Sequence, residues 1–165
     1  MSEFILSGYV PGAIGRVAEL HANYYSKAWG FGLYFEAKVA AELSDFLRGF
    51  EPGRDGFWIA AREDRIEGSI AIDGAKAASE GAHLRWFIVS DALRGQGAGK
   101  RLLQQAVDFC RRRGYPSVYL WTFQGLDSAR HLYEKFGFRL EQQIEGSQWG
   151  KPVQEQRFVL ALGSG

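Results

Sequence analysis

Between residues 94 and 99 the chain reads Arg94-Gly95-Gln96-Gly97-Ala98-Gly99, and Lys100 and Arg101 follow directly. Glycines let a backbone approach a ligand closely, and cations beside them favour an anion. If a strand runs into this segment and a helix leaves it, unpaired N–H groups and the positive end of the helix dipole converge there, and phosphate is the natural guest. Two familiar phosphate motifs do not fit. A P-loop ending at Gly99-Lys100 needs glycine where Arg94 stands and Ser or Thr where Arg101 stands. A dinucleotide fingerprint on Gly95 and Gly97 needs Gly or Ala where Lys100 stands, and should open the fold rather than sit in mid-chain. A tight turn with no ligand is the other reading of the same glycines. The one cysteine, Cys110, lies on an apolar stripe with Leu103, Ala106 and Val107, which points to a buried structural thiol rather than a nucleophile.

The flanking periodicity predicts the elements this segment requires. His83–Val89 has strand character and ends at Ser90-Asp91; from Gly99 to Arg113 an apolar stripe marks a helix, closed by three arginines and Gly114. Upstream, residues 12–29 and 33–49 read as helices punctuated by Gly30 and Gly32. Residues 57–61 and 66–72 read as a hairpin about a polar turn, and Gly74–Gly81 as a small-residue loop. Downstream come a strand over 118–122, a helix over 126–136 stopped by Gly137, and strands over 138–142 and 154–160. The expected order is ααβββαβαββ in a single domain over residues 1–162, with a disordered tail at 163–165.

Composition bounds the function. Twenty basic residues against nineteen acidic give a formal net charge of +1, which supplies no general field for nucleic acid or a membrane surface. No apolar run approaches the length of a membrane span and no leader is visible, so a soluble cytoplasmic protein is expected. Aromatic residues make up 15% of the chain, enough to line cavities as well as to fill a core.

The run Val89–Leu103 resembles the coenzyme-A-binding motif of the GCN5-related N-acetyltransferase (GNAT) superfamily, whose Arg/Gln-x-x-Gly-x-Gly/Ala signature Arg94, Gly97 and Gly99 satisfy. Some thirty residues on, Ala129-Arg130-His131-Leu132-Tyr133-Glu134-Lys135-Phe136-Gly137-Phe138 is similar to the superfamily's Ala-x-x-Leu-Tyr-x-x-x-Gly-Phe element. The element order matches too, and residues 82–140 look like the acetyltransferase half of bacterial winged-helix fusion proteins. The resemblance implies an α+β fold: one mixed, mostly antiparallel sheet with a splayed central strand pair and helices on both faces. It implies acetyl-CoA as co-substrate, no metal, and transfer to a small-molecule or peptide amine by direct attack in a ternary complex. A homodimer is also in the family's habit.

Roles follow from the resemblance residue by residue. The backbone of Phe87, Ile88 and Val89 would meet pantetheine and the acetyl oxygen; Arg94 to Lys100, taking in Gly95, Gln96, Gly97, Ala98 and Gly99, would hold the pyrophosphate. Where the family often has a coenzyme-binding asparagine this chain has Leu126, so Asp127 or Ser128 would substitute, unless Asp127 is the helix cap. Tyr133 corresponds to the tyrosine that protonates the departing thiolate, and a phenol with a reference pKa of about 10 can donate at neutral pH. Eleven residues before Arg94, His83 occupies the place of the general base in the histone-acetylating branch. Strand alternation would put His83, Arg85, Phe87 and Val89 on one face. Glu36, Asp73, Glu80 or water are the alternatives to His83. Acceptor binding falls to Tyr25, Trp29, Phe31, Tyr34 and Glu36 and, from the loop between the last two strands, Trp149. A carboxylate among such aromatics could hold a cationic amine. The competing expectation is a non-catalytic acyl-CoA-binding regulatory module.

Overall fold

A computed structural model describes residues 3–163; of the expected tail, residues 164 and 165 lie outside it. The strands are β1 (Ile5–Ser7), β2 (Gly56–Arg62), β3 (Arg65–Asp73), β4 (Ala82–Val89), β5 (Ser117–Phe123), β6 (Arg139–Gly146) and β7 (Val153–Ala161). The helices are α1 (Ala13–Trp29), α2 (Leu33–Arg48), α3 (Ala77–Glu80), α4 (Ala98–Arg112) and α5 (Asp127–Lys135), with a single 3₁₀ turn at Asp91–Leu93. The long elements follow the sequence periodicity to within a few residues. Two short ones do not: β1 has three residues and α3, inside the expected small-residue loop, has four. Neither is long enough to show a period.

The seven strands form one sheet in the order β1-β2-β3-β4-β5-β7-β6, antiparallel everywhere except between β4 and β5. β2 and β3 turn through Glu63 and Asp64, both at positive φ, the backbone of a two-residue hairpin loop. Two cores sandwich the sheet. On one face α4 buries Leu102, Leu103, Ala106, Val107 and Cys110 against Ile70, Ile72, Leu84 and Leu120, each leucine contributing about 2 kcal/mol. On the other, α1 and α2 bury Val17, Leu20, Phe35, Val39, Leu43 and Phe46 against Phe57, Ile59, Trp86 and Ile88.

Two irregularities in β4 build the site. Its parallel pairing with β5 stops after Ala82–Val118 and His83–Tyr119, so the two strands part and leave a gap in the middle of the sheet. Its pairing with β3 slips by one residue, because Ile88 faces Ser69 while Arg85 faces Ala71. The slip is a β-bulge at Trp86, whose φ of 48° is left-handed and rare for an aromatic residue. Fully buried Ser69 holds it by donating from Oγ to Trp86 O at 2.6 Å. The bulge overturns the alternation expected from sequence. Leu84, Phe87 and Val89 pack with the α4 core, whereas Trp86 and Ile88 pack with the α1/α2 core, and His83 and Arg85 border a cavity on that second side.

Candidate functional site

A cleft of about 610 Å³ runs along the gap. It is lined by the end of β4 (Phe87, Ile88, Val89), by the turn carrying Leu93, Arg94, Gly95, Gly97, Ala98 and Gly99, and by the start of α5 (Asp127, Ser128, Ala129, Leu132, Tyr133). Gly95 and Gly97 have φ of 77° and 79°, the left-handed turn that glycine makes without strain. Gly97 caps α4 and Leu126 caps α5, neither with a side-chain bond. Both helices therefore turn uncapped first-turn N–H groups toward the cleft. Asp127 is thus not the cap of α5; it lies inside the first turn and faces the cleft. Arg94 stands at the rim, paired with Asp91 at 3.1 Å and over the ring of Tyr24 at 5.3 Å. Gln96 and Lys100 are exposed and do not border the cleft; the Gln96 amide donates back to Ala92 O at 3.0 Å. Ser90 N–H returns to Glu67 O at 2.7 Å, so alternation turns the amide of the preceding Val89 toward the gap, and Phe87 lines the cleft beside it.

A smaller cavity of about 150 Å³ lies on the α1/α2 side, room for a fragment of roughly benzene size. Tyr25, Phe87, Thr122, Leu126 and Tyr133 border both spaces, so the two meet at those residues. Tyr133 is buried, its ring set among Phe87, Phe138 and Phe158 with centroids 6.0, 5.8 and 6.1 Å away. Burial, and secondarily the neighbouring Tyr25 hydroxyl, pushes its pKa well up, so the phenol keeps its proton. Its hydroxyl makes no hydrogen bond to any described residue.

His83 borders the small cavity with its ring flat on Tyr119, centroids 4.5 Å apart. Burial, reinforced by Arg85, lowers its pKa to about 3, which makes it a neutral imidazole. A second, which the sequence motifs do not single out, is His21 of α1: it is buried, and its Nδ1–H donates to Val17 O at 2.8 Å, leaving Nε2 unprotonated. Burial lowers its pKa to about 4 against the opposing effect of that bond. It stacks on Tyr25 at 6.3 Å. The signal was a histidine on the apolar stripe of Val17, Ala18 and Leu20, one turn before Tyr25.

The aromatic segment divides. Tyr25 and Trp149 border the small cavity. Trp29 and Phe31 border a separate surface pocket with Lys151 and Val153, and Tyr34 is exposed beneath Gly150. Glu36 is exposed and away from the cavity, and Asp73 and Glu80 do not border it. The carboxylate in the cavity is Glu42. Phe35, Lys38, Val39 and Glu42 share one helical face, and Glu36 lies off it. Each oxygen of Glu42 takes one cation, Lys38 Nζ at 2.5 Å and Arg85 from β4. Burial alone would raise its pKa, but these two bonds outweigh burial and hold it below the usual carboxylate range. On the other core, burial pushes the Cys110 thiol up to about 12. Among the described residues no three His, Cys, Asp or Glu side chains converge on one point, and no helix is long and apolar enough to cross a membrane.

These elements define an acetyltransferase-type domain: a sheet split beside a glycine turn, with two helix N-termini over the gap. The profile of the Acetyltransferase (GNAT) family matches residues 14–138, and the chain belongs to that family. It is 28% identical over 125 residues to human N-acetyltransferase 8B, covering 73% of this chain and 55% of that one. It spans about half to three fifths of the length of the curated relatives it matches. Among solved structures, a GNAT-family acetyltransferase from Staphylococcus aureus superposes with a TM-score of 0.77 at 16% identity, covering 97% of this chain and 99% of that one. The structure of yncA from Salmonella typhimurium with its cofactor acetyl-CoA superposes with a TM-score of 0.73 at 13% identity, covering 98% and 95%. Both have the same fold, a mixed α+β sheet opened between its central strands.

Proposed function

We propose that this domain transfers the acetyl group of acetyl-CoA directly to a primary amine, with the coenzyme in the wide cleft and the acceptor in the small cavity. The observation that carries the reading is the meeting of the two spaces at Tyr133, Phe87 and Tyr25. Arg94 and the N–H groups after Gly97 suit the pyrophosphate, and the amides of Phe87 and Val89 suit pantetheine and the thioester carbonyl. Tyr133, protonated and without a protein partner, suits the departing thiolate. The proton of the attacking nitrogen becomes acidic as the C–N bond forms, so even a weakly basic neutral imidazole can take it. Contact with Tyr25 favours His21 for that role over His83, which stacks at the closed end of the strand pair.

Direct transfer is favoured over an acetyl-enzyme because the one cysteine, Cys110, is a buried neutral thiol on α4. The likeness of residues 82–140 to the acetyltransferase half of winged-helix fusions would add a regulatory setting without altering the chemistry. Incubation with acetyl-CoA and a panel of amines, followed by mass spectrometry for products one acetyl heavier, tests the reading. Saturable coenzyme binding with no product from any amine would replace it with the non-catalytic binding module.

A further inference from the structure

Charge in the small cavity is unbalanced. Three ionised side chains border it, Lys38, Glu42 and Arg85, and the two histidines there are neutral. Two cations therefore share one carboxylate. Each makes a single bond to it, so Glu42 is spent on both and has no oxygen free of a cation. Arg85 has a fork of five N–H donors and uses one of them on the described residues. Its guanidinium is also fixed in orientation, lying 4.2 Å over the Trp86 ring. Its side chain is 25% exposed, and that of Lys38 28%, so both can be reached from the cavity. An oriented, underused guanidinium with a lysine beside it is a receptor for a planar anion, carboxylate above all. Apart from the two histidines, Thr122 and Gln148, the remaining wall is aromatic or apolar, with Tyr25, Phe35, Val39, Trp121, Phe123 and Trp149 its largest members.

We propose that Arg85, assisted by Lys38, is the anion-recognition group of the acceptor pocket, and that the acceptor is a small amine bearing a carboxylate and an apolar side chain, an amino-acid-like molecule. This rests on the small cavity being the acceptor's. It reverses the expectation of a carboxylate holding a cationic amine, since a polyamine would bring more positive charge to a pocket already carrying a surplus. The aromatic wall takes the apolar side chain, and the amine is left facing Tyr25 and Tyr133.

The test pairs each of several aromatic and aliphatic amino acids with its carboxamide. In turnover, the acid is expected to exceed the amide in kcat/KM by roughly ten- to a hundredfold, the range of one charge-assisted pair. Arg85→Gln should bring the ratio close to one with KM for acetyl-CoA unchanged. Glu42→Gln, which frees both cations, should keep or widen it, whereas loss of all amine binding in Glu42→Gln would show that Glu42 holds the ammonium and overturn the proposal. The same pairs are titrated without acetyl-CoA by the fluorescence of Trp86, Trp121 and Trp149, which border the cavity. Acid-selective quenching that disappears in Arg85→Gln supports the site even if no acetyl transfer occurs, in which case only the catalytic reading fails. Equal response to acid and amide, or better acetylation of amides, polyamines or peptide N-termini, overturns the proposal while leaving acetyl transfer intact.

Discussion

Replacing Tyr133 with phenylalanine separates its chemistry from its packing. The ring sits among Phe87, Phe138 and Phe158, and phenylalanine keeps every one of those contacts. The hydroxyl has no protein partner among the described residues and is not among their buried unpaired atoms, so it opens on the cleft and its removal breaks no bond. The variant should unfold within about 1 kcal/mol of the parent, in denaturant or heat. Activity should behave differently. A proton donor to the leaving group supplies typically about a hundredfold or more, or roughly 2.7 kcal/mol of transition-state stabilisation. Because burial raises the phenol's pKa, the donor stays protonated across the working range and the loss should be independent of pH. The assay is release of the coenzyme thiol at saturating acetyl-CoA and amine. A kcat within about threefold of the parent, with KM unchanged, refutes a role for the hydroxyl in the chemical step.

Gly99→Ala should move stability and binding in opposite directions: a Cβ there meets only ordinary contacts, at 3.6 Å from Leu132 and Phe87 and 3.7 Å from Val89. Helix propensity then adds about 0.5–1 kcal/mol, while calorimetry should find weaker acetyl-CoA binding. Ser69→Ala removes the bond to Trp86 O and should cost about 1–2 kcal/mol in denaturant unfolding, with kcat reduced because the β4 amides are no longer held. In acid, His21 and His83 stay neutral in the fold, at about 4 and about 3, while in the unfolded chain they titrate near 6.5. Their contribution is complete above 6.5 and is lost as pH falls through the folded values. Unfolding free energy should therefore drop between pH 6.5 and 4, by on the order of 3 kcal/mol for His21, and His21→Gln should flatten that slope.

Much of the proposed coenzyme side was legible because its signals are local. Glycines at positive φ, cations after them and an amphipathic helix leave marks within fifteen residues, and Tyr133 lies in a motif of its own. The proposed acceptor side is assembled by tertiary structure. Glu42, Arg85 and His21 come from α2, β4 and α1, and nothing in any one segment says that they converge. His83 and Arg85 do not share the face of Phe87 and Val89 that alternation predicts, for a similar reason. Period-two alternation assumes a regular strand, and the bulge that breaks it is held by Ser69 on the neighbouring strand. Glu36 drew notice for standing among aromatics in sequence, but helical geometry turns Phe35, Lys38, Val39 and Glu42 inward instead.

On the proposed reading, the gap is also what lets donor and acceptor meet. Tyr133 belongs to the core on the α4 face, and Tyr25 packs against the core on the α1/α2 face. A continuous sheet would separate them; where β4 and β5 part, they border the same space. Thr122, on β5 and only 9% exposed, borders the gap from both sides. Thr122→Leu adds volume at that window, at a folding cost of about 1–3 kcal/mol. The pyrophosphate site proposed at Arg94–Gly99 does not include Thr122, so acetyl-CoA binding by calorimetry should change little. Passage between the two spaces should suffer, with kcat falling more than about tenfold for every acceptor regardless of its size or charge. A variant that binds acetyl-CoA as the parent does and turns over at the parent's rate would show that the acceptor reaches the thioester by another route.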